Sequence, residues 1–183
     1  MRKLKITELN RLTPEAFQEE KKTPLVVVLD HVRSMHNVGS VFRTADAFLL
    51  EAVYLCGISS PPPHPEIHKT ALGAEDTMQW KYFEDTHQAV DELKAQGYLV
   101  YAVEQAVGST HLHDLCLLGG QKTAIILGNE VKGVQQSVVS RCDGCIEIQQ
   151  YGTKHSLNVS VTAGIVIWEL FKQISHGLER TIR

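Results

Sequence analysis

Runs of branched apolar residues alternate along this chain with segments whose apolar positions recur every three or four residues. Residues 25–29 (LVVVL) form an unbroken apolar run, the pattern of a strand buried on both faces of a parallel sheet. Val38, Val41, Phe42, Ala45, Phe48 and Leu49 follow at helical spacing, which predicts an amphipathic helix. Residues 52–56, 99–103 (LVYAV), 124–127 (AIIL) and 145–148 predict further strands, and 80–83 a short one. Helices are expected at 86–95, closed by Gly97, at 135–140 and at 156–174. Thr13, Pro14 and Glu15 mark another helix start near the N-terminus. Residues 59–65 hold four prolines and predict a rigid loop. Strands alternating with helices imply an α/β fold, a mostly parallel sheet flanked by helices. Ligands in such sheets bind beyond the carboxyl ends of the strands. The loops after Leu29, Val103, Leu127 and Ile148 are therefore the places to look for chemistry.

A length of 183 residues suits one domain, here divided into an N-terminal basic helical arm (1–23), a body (24–172) and a tail (173–183). The net charge of −3 gives no overall pull toward nucleic acid. Its distribution qualifies that: Arg2, Lys3, Lys5, Arg11, Lys21 and Lys22 crowd the first 22 residues, and Arg180 and Arg183 close the chain. Basic arms of this kind supply a local footprint for phosphates. No apolar leader opens the chain and no run reaches the ~18 apolar residues that span a bilayer, so a cytoplasmic location without membrane contact is expected. Four cysteines then stay as thiols. Cys142 and Cys145 have CxxC spacing, but no second pair completes four sulfur ligands, and Asp143-Gly144 reads as a turn into a strand. His111-Leu112-His113 alternates as a short strand or loop, and no metal is expected.

Three loops carry candidate chemistry. Beyond Leu29, Asn37 stands where it would cap the helix, and Gly39, Arg43 and Asp46 form a stripe opposite the apolar face. Gly39 would permit close approach to the first turn, whereas an Arg43–Asp46 surface pair would contribute little. Beyond Leu127, residues 128–134 (GNEVKGV) place two glycines around an acid, suiting backbone contact with a nucleoside. The Gly-Lys-Ser/Thr ending of a phosphate loop is missing, as is a GxGxxG fingerprint after the first strand, which excludes a nicotinamide-dependent oxidoreductase. Beyond Ile148, Ser156 reads as an N-cap, with Asn158 and Ser160 on the first turns of the last helix.

Taken in order, Asn37-x-Gly39-x3-Arg43-Thr44-Ala45-x-Ala47-Phe48, Leu127-Gly128-Asn129-Glu130-x2-Gly133 and Gly152-x3-Ser156-Leu157-Asn158-Val159-Ser160-Val161 resemble the three motifs of the SpoU (TrmH-like) branch of the SPOUT methyltransferases. Thr70-Ala71-Leu72-Gly73-Ala74-Glu75 also matches that branch. The resemblance implies a C-terminal trefoil knot, a homodimer, and transfer of a methyl group from S-adenosyl-L-methionine to a ribose 2′-hydroxyl of structured RNA, tRNA ahead of rRNA. It places Asn37, Arg43, Glu130, Ser156 and Asn158 on catalytic positions, and Val103, Gly128, Ile148 and Leu157 on positions that hold the cofactor. The chain departs from the family at Ile148-Gln149-Gln150, where Ile-Pro-Met is usual. The resemblance also implies that Arg43 activates the acceptor. A guanidinium stays protonated below pH ~12, so we read Arg43 as a clamp on the neighbouring phosphate. Two rivals remain at this point: a non-catalytic RNA-binding module on the same scaffold, and an enzyme of the same superfamily that methylates a base.

Overall fold

The computed structural model describes residues 1–175; Arg180 and Arg183 lie outside them. The apolar run at the start of the body is strand β1 (Thr23–Asp30), followed by helix α2 (Met35–Ala47) and β2 (Leu50–Cys56), with α1 (Pro14–Glu19) preceding them. Two short helices, α3 (Pro65–Ala71) and α4 (Ala74–Thr77), lead to β3 (Trp80–Phe83), α5 (Thr86–Ala95) and β4 (Leu99–Val103). The chain then forms β5 (Thr110–His111), β6 (Thr123–Leu127), α6 (Gln136–Val139), β7 (Gly144–Glu147) and the long α7 (Val159–Ser175).

These seven strands make one sheet in the order β3-β2-β1-β6-β4-β7-β5, and every pairing is parallel. Strand alternation splits the core cleanly. Leu25, Val27 and Leu29 of β1, with Ile125 and Leu127 of β6, face α2 and α7 and meet Val38, Phe42, Ala163 and Ile167. Val26 and Val28, with Ala124 and Ile126, face the opposite way onto Ala89, Val90 and Leu93 of α5. A parallel sheet covered on both sides explains the unbroken apolar runs. Among the described residues no helix is long and apolar enough to cross a membrane.

Helix boundaries correct the sequence reading in three places. Ser34, not Asn37, caps α2: its side chain accepts from Asn37 N at 3.3 Å. Asn37 lies inside the first turn and is buried. The last helix starts at Val159, three residues later than expected. Asn158, not Ser156, takes the capping place, its Oδ1 accepting from Ser160 N at 2.8 Å. That helix runs past position 172 to Ser175 with Ile174 buried, so the line drawn at 172/173 falls within an element. Within the arm, Thr13 caps α1 as expected, and Phe17 is buried against the core. The proline-rich loop ends in α3, with Pro65 at its first turn; this helix and α4 were too short to show a period.

Gly39 permits a close approach, but to protein. A Cβ there would lie 2.2 Å from Thr70 Oγ1 and 2.3 Å from the carbonyl oxygen of Ile67, so α2 and α3 pack backbone to backbone. The Arg43–Asp46 pair does not form: Asp46 Oδ1 accepts from Thr77 Oγ1 at 3.3 Å instead. Gly39→Ala should therefore destabilise the fold by about 1–2 kcal/mol, steric overlap exceeding the ~1 kcal/mol gain in helix propensity. A urea midpoint equal to or above wild type would refute this packing.

Candidate active site

Strands β6, β4 and β7 are neighbours, and their carboxyl ends open on one cavity of about 540 Å³. Val103 at the end of β4, Gly128 beyond β6, and Ile148 and Leu157 beyond β7 all line it, as do Glu130, Ser156 and Asn158. Seven of the nine residues singled out in the sequence thus meet at one place. Asn37 and Arg43 do not line it. The sequence reading passed over other wall residues, notably Glu104, Gln105 and His155. The loop after Val103 was marked for inspection by its place in a parallel sheet, and an acid immediately past a buried strand was the signal available there.

The wall from β6 is shaped by its glycines. A Cβ on Gly128 would stand 2.1 Å from Gly133 C and from Val134 N, so the loop can fold back on itself only without a side chain there. Asn129 and Gly133 close that fold with paired backbone bonds of 3.1 and 2.8 Å. Asn129 also donates from Nδ2 to the carbonyl of His31 at 2.8 Å, and its Oδ1 accepts from Val131 N and Lys132 N. At the far end of the loop the buried Asp30 accepts from Gln135 N at 3.0 Å and from Thr86 Oγ1 at 2.6 Å. The 128–134 loop is therefore anchored at both ends to the end of β1.

Glu130 links that loop to α2. Its carboxylate accepts from Arg33 N at 3.1 Å, from Ser34 N at 3.0 Å and from Asn37 Nδ2 at 3.1 Å. An anion at a helix N-terminus is favoured by the unpaired N–H groups and the helix dipole. Partial burial pushes the Glu130 carboxyl up, but the N–H groups of Arg33, Ser34 and Glu130 itself, with the Asn37 amide, hold it below the usual carboxylate range. Glu130 fixes loop geometry and does not pair with Arg43. The Arg43 guanidinium is exposed and, among the described residues, makes no hydrogen bond or ion pair. Ser156 and Asn158 are exposed on the rim.

The other candidate chemistries lie elsewhere. Burial raises both thiols of the CxxC pair, Cys142 to about 11. Each donates to a backbone carbonyl, Val138 at 3.3 Å and Glu104 at 3.4 Å, so they are packed thiols, as their sequence context suggested. His68, Glu75 and Asp76 group within 4.8 Å on α3 and α4. Both Glu75 oxygens are engaged, with His68 Nδ1 at 2.6 Å and Gly73 N at 3.0 Å.

A parallel α/β sheet with a nucleoside-sized cavity over the carboxyl ends of neighbouring strands defines the class of α/β nucleotide- and nucleoside-binding proteins. Residues 24–168 match the SpoU rRNA Methylase family, and the chain belongs to that family. A 23S rRNA (guanosine-2′-O-)-methyltransferase RlmB of Neisseria meningitidis is 30% identical over 159 residues, covering 87% of this chain and 62% of that protein. A tRNA (guanosine(18)-2′-O)-methyltransferase of Thermus thermophilus is 29% identical over 168 residues, covering 91% of this chain and 84% of its own length. This chain spans less than two thirds of the Neisseria protein. Among solved structures, the A. aeolicus TrmH/SpoU tRNA modifying enzyme superimposes with a TM-score of 0.76 at 25% identity, over 87% of this chain and 81% of that one. An AdoMet-bound rRNA methyltransferase from Sinorhizobium meliloti shares the fold, with a TM-score of 0.77 at 24% identity over 93% and 62%.

Because folding depresses the Glu130 pKa, its stabilising contribution is fully present above the ordinary carboxylate range and is lost as pH falls through the lowered folded value. Glu130→Gln, which cannot ionise, should cost about 1 kcal/mol at pH 7. That gap should shrink toward zero below pH ~4. Denaturant titrations of both proteins at several pH values give the difference; a gap independent of pH would contradict the assignment.

Proposed function

We propose that this chain transfers a methyl group from S-adenosyl-L-methionine to a ribose 2′-hydroxyl of structured RNA, with tRNA tested ahead of rRNA. The observation that carries this reading is the convergence of three separated motifs. Asn37 of the first donates to Glu130 of the second at 3.1 Å, and Glu130 shares the cavity wall with Ser156, Leu157 and Asn158 of the third. The cavity suits a nucleoside cofactor in size and lining: Leu127, Ile146, Ile148 and Leu157 offer apolar surface, while Glu104, Gln105 and Asn129 offer polar groups. Val103, Gly128, Ile148 and Leu157 would hold the cofactor. The Gln149-Gln150 departure leaves the wall in place, since both Ile148 and Gln150 line it. The knotted path of the C-terminal segment is part of the same proposal.

The cofactor, when bound, supplies an activated methyl group that needs no metal to leave. The protein's part is alignment and charge. Arg43 lies six residues, or about 9 Å of helix, beyond Asn37, outside the cavity and without a partner among the described residues. An unpaired guanidinium suits a forked grip on an RNA phosphate, which would favour the developing charge on the neighbouring 2′-oxygen. The phosphate or solvent then takes the hydroxyl proton. Asn37 and Glu130 act through loop position, and Ser156 and Asn158 are at the rim where the acceptor would enter. Lys3, Lys5 and Arg11 of the arm are exposed and add cationic surface for RNA, whereas the Arg2 guanidinium is paired with Glu8 at 2.8 Å.

Homodimerisation belongs to the same reading. Val161, Ile165 and Trp168 recur along one face of α7 and are 50%, 40% and 50% exposed, and Trp168 packs against Phe48 with ring centroids 5.6 Å apart. An apolar, aromatic stripe of this kind is the centre expected of an interface with a second copy. Four free thiols suit a cytoplasmic location.

Radiolabelled methyl transfer to bulk tRNA and rRNA tests the activity, and alkali-resistant dinucleotides in the product distinguish ribose from base methylation. Arg43→Ala should lower transfer about 100-fold or more, and Arg43→Lys should recover less than about a tenth of it. Near-wild-type turnover by Arg43→Ala would sink the clamp. In sedimentation velocity, Trp168→Asp should shift a wild-type dimer to monomer; a wild-type monomer would sink the interface.

A further inference from the structure

The cavity wall contributed by residues 151–157 is held unlike the others. All seven residues are exposed, with no regular secondary structure. The wall from β6, by contrast, is tied down by Asn129, Glu130 and Gln135. Among the described residues, the 151–157 segment makes one hydrogen bond to a part of the chain distant in sequence: Gln105 Nε2 donates to the His155 carbonyl at 2.7 Å. The Tyr151 hydroxyl reaches only Gln149, two residues away.

The donor of that bond is well placed. Gln105 follows Glu104 directly beyond β4, and the Glu104 carboxylate accepts from Val134 N at 2.8 Å and from Gln105 N at 3.2 Å. Glu104 fits against the bare Cα of Gly133, where a Cβ would stand 2.0 Å from its Oε1. The dipeptide therefore grips both flanking walls. Glu104 holds the firm loop from β6, and Gln105 extends its amide to the loose segment that follows β7. Gln105, His155, Ser156 and Leu157 all line the cavity, so releasing the amide frees a wall of the site while the sheet beneath stays intact.

We propose that Gln105 is a positioning residue of the cofactor site: its amide latches the 151–157 segment across the cavity and sets how long the cofactor stays bound. This rests on the reading that the cavity holds S-adenosyl-L-methionine. One tether on an otherwise free segment means that opening costs one net hydrogen bond, a factor of about 3–10 in the open population. The latch acts on release more than on capture, because association is limited by encounter and dissociation by the contacts broken.

The test uses the full chain and S-adenosylhomocysteine, the demethylated cofactor, as probe. Wild type is compared with Gln105→Ala, with Gln105→Glu, which keeps the shape and loses the donor, and with Gln105→Lys, which keeps a donor of similar reach. Stopped-flow dissociation should be about 3–10-fold faster for the Ala and Glu variants and within about twofold of wild type for Lys. Amide hydrogen exchange without the probe should accelerate at 151–157 in the same order and stay unchanged in β1 and β6. Equal release rates among chains that bind the probe overturn the latch alone. Exchange accelerated throughout the sheet also overturns it, since Gln105 would then be a general stabiliser. A wild-type chain that does not bind S-adenosylhomocysteine overturns the cofactor reading and the latch's role with it.

Discussion

One carboxylate at one helix end organises this molecule's site. Glu130 sits in a loop that a glycine-enforced fold-back pushes out from β6, and it lands on the N–H groups of Arg33 and Ser34, immediately ahead of α2. Four N–H groups at a helix start have no partner within the helix. Here the Ser34 side chain takes the Asn37 N–H, and an anion from a segment nearly a hundred residues away holds the two N–H groups just before the helix. The buried Asn37 amide finishes the joint. Without it, the loop that walls the cavity and the helix that displays Arg43 would be set independently. With it, cavity and guanidinium share one frame of reference. The residue therefore shapes the site by geometry, through bonds of the kind a capping acid makes in an ordinary helix.

The electrostatic character of the cavity follows from the same economy. Its β6 wall is backbone folded tightly around two glycines, and the acids that line it are occupied: Glu130 by α2, Glu104 by Val134 and Gln105. Carboxylates that accept from backbone N–H groups keep their place. The site thus carries fixed negative groups, while exposed cations stand outside it at Arg43 and along the arm. Such a division suits a cationic cofactor within and a polyanionic substrate without.

The sheet was legible in the sequence because burial on both faces writes an unmistakable run of apolar residues; β1, β4 and β6 lie where LVVVL, LVYAV and AIIL predict them. The strand order was not legible, since nothing in LVVVL records that its neighbours are 50–56 and 123–127. Helix ends were misjudged where two polar residues competed for one cap. Ser156 and Asn158 are both good caps, and only the path of the chain selects Asn158. Gly39 was read as permitting a close approach at the first turn, but what approaches, α3, was hidden in a proline-rich stretch without a period. Seven of the nine residues singled out in the sequence line the cavity, but Glu104 and Gln105 belong to no motif, and their roles depend on partners thirty and fifty residues distant.

The position of β6 has a consequence for how the chain acquires this shape. β6 lies between β1 and β4, pairing Val26 with Ala124 and Val100 with the same residue. Both earlier strands therefore wait with an open apolar edge until it is made. At a synthesis rate of about 5–20 residues per second, β1 stays half-paired for roughly 5–20 seconds while the intervening chain emerges. Parallel pairings at such separations are slow to close and leave edges open to other chains meanwhile. The cavity draws its walls from β4, β6 and β7, so it cannot be complete until Thr162 has left the ribosome.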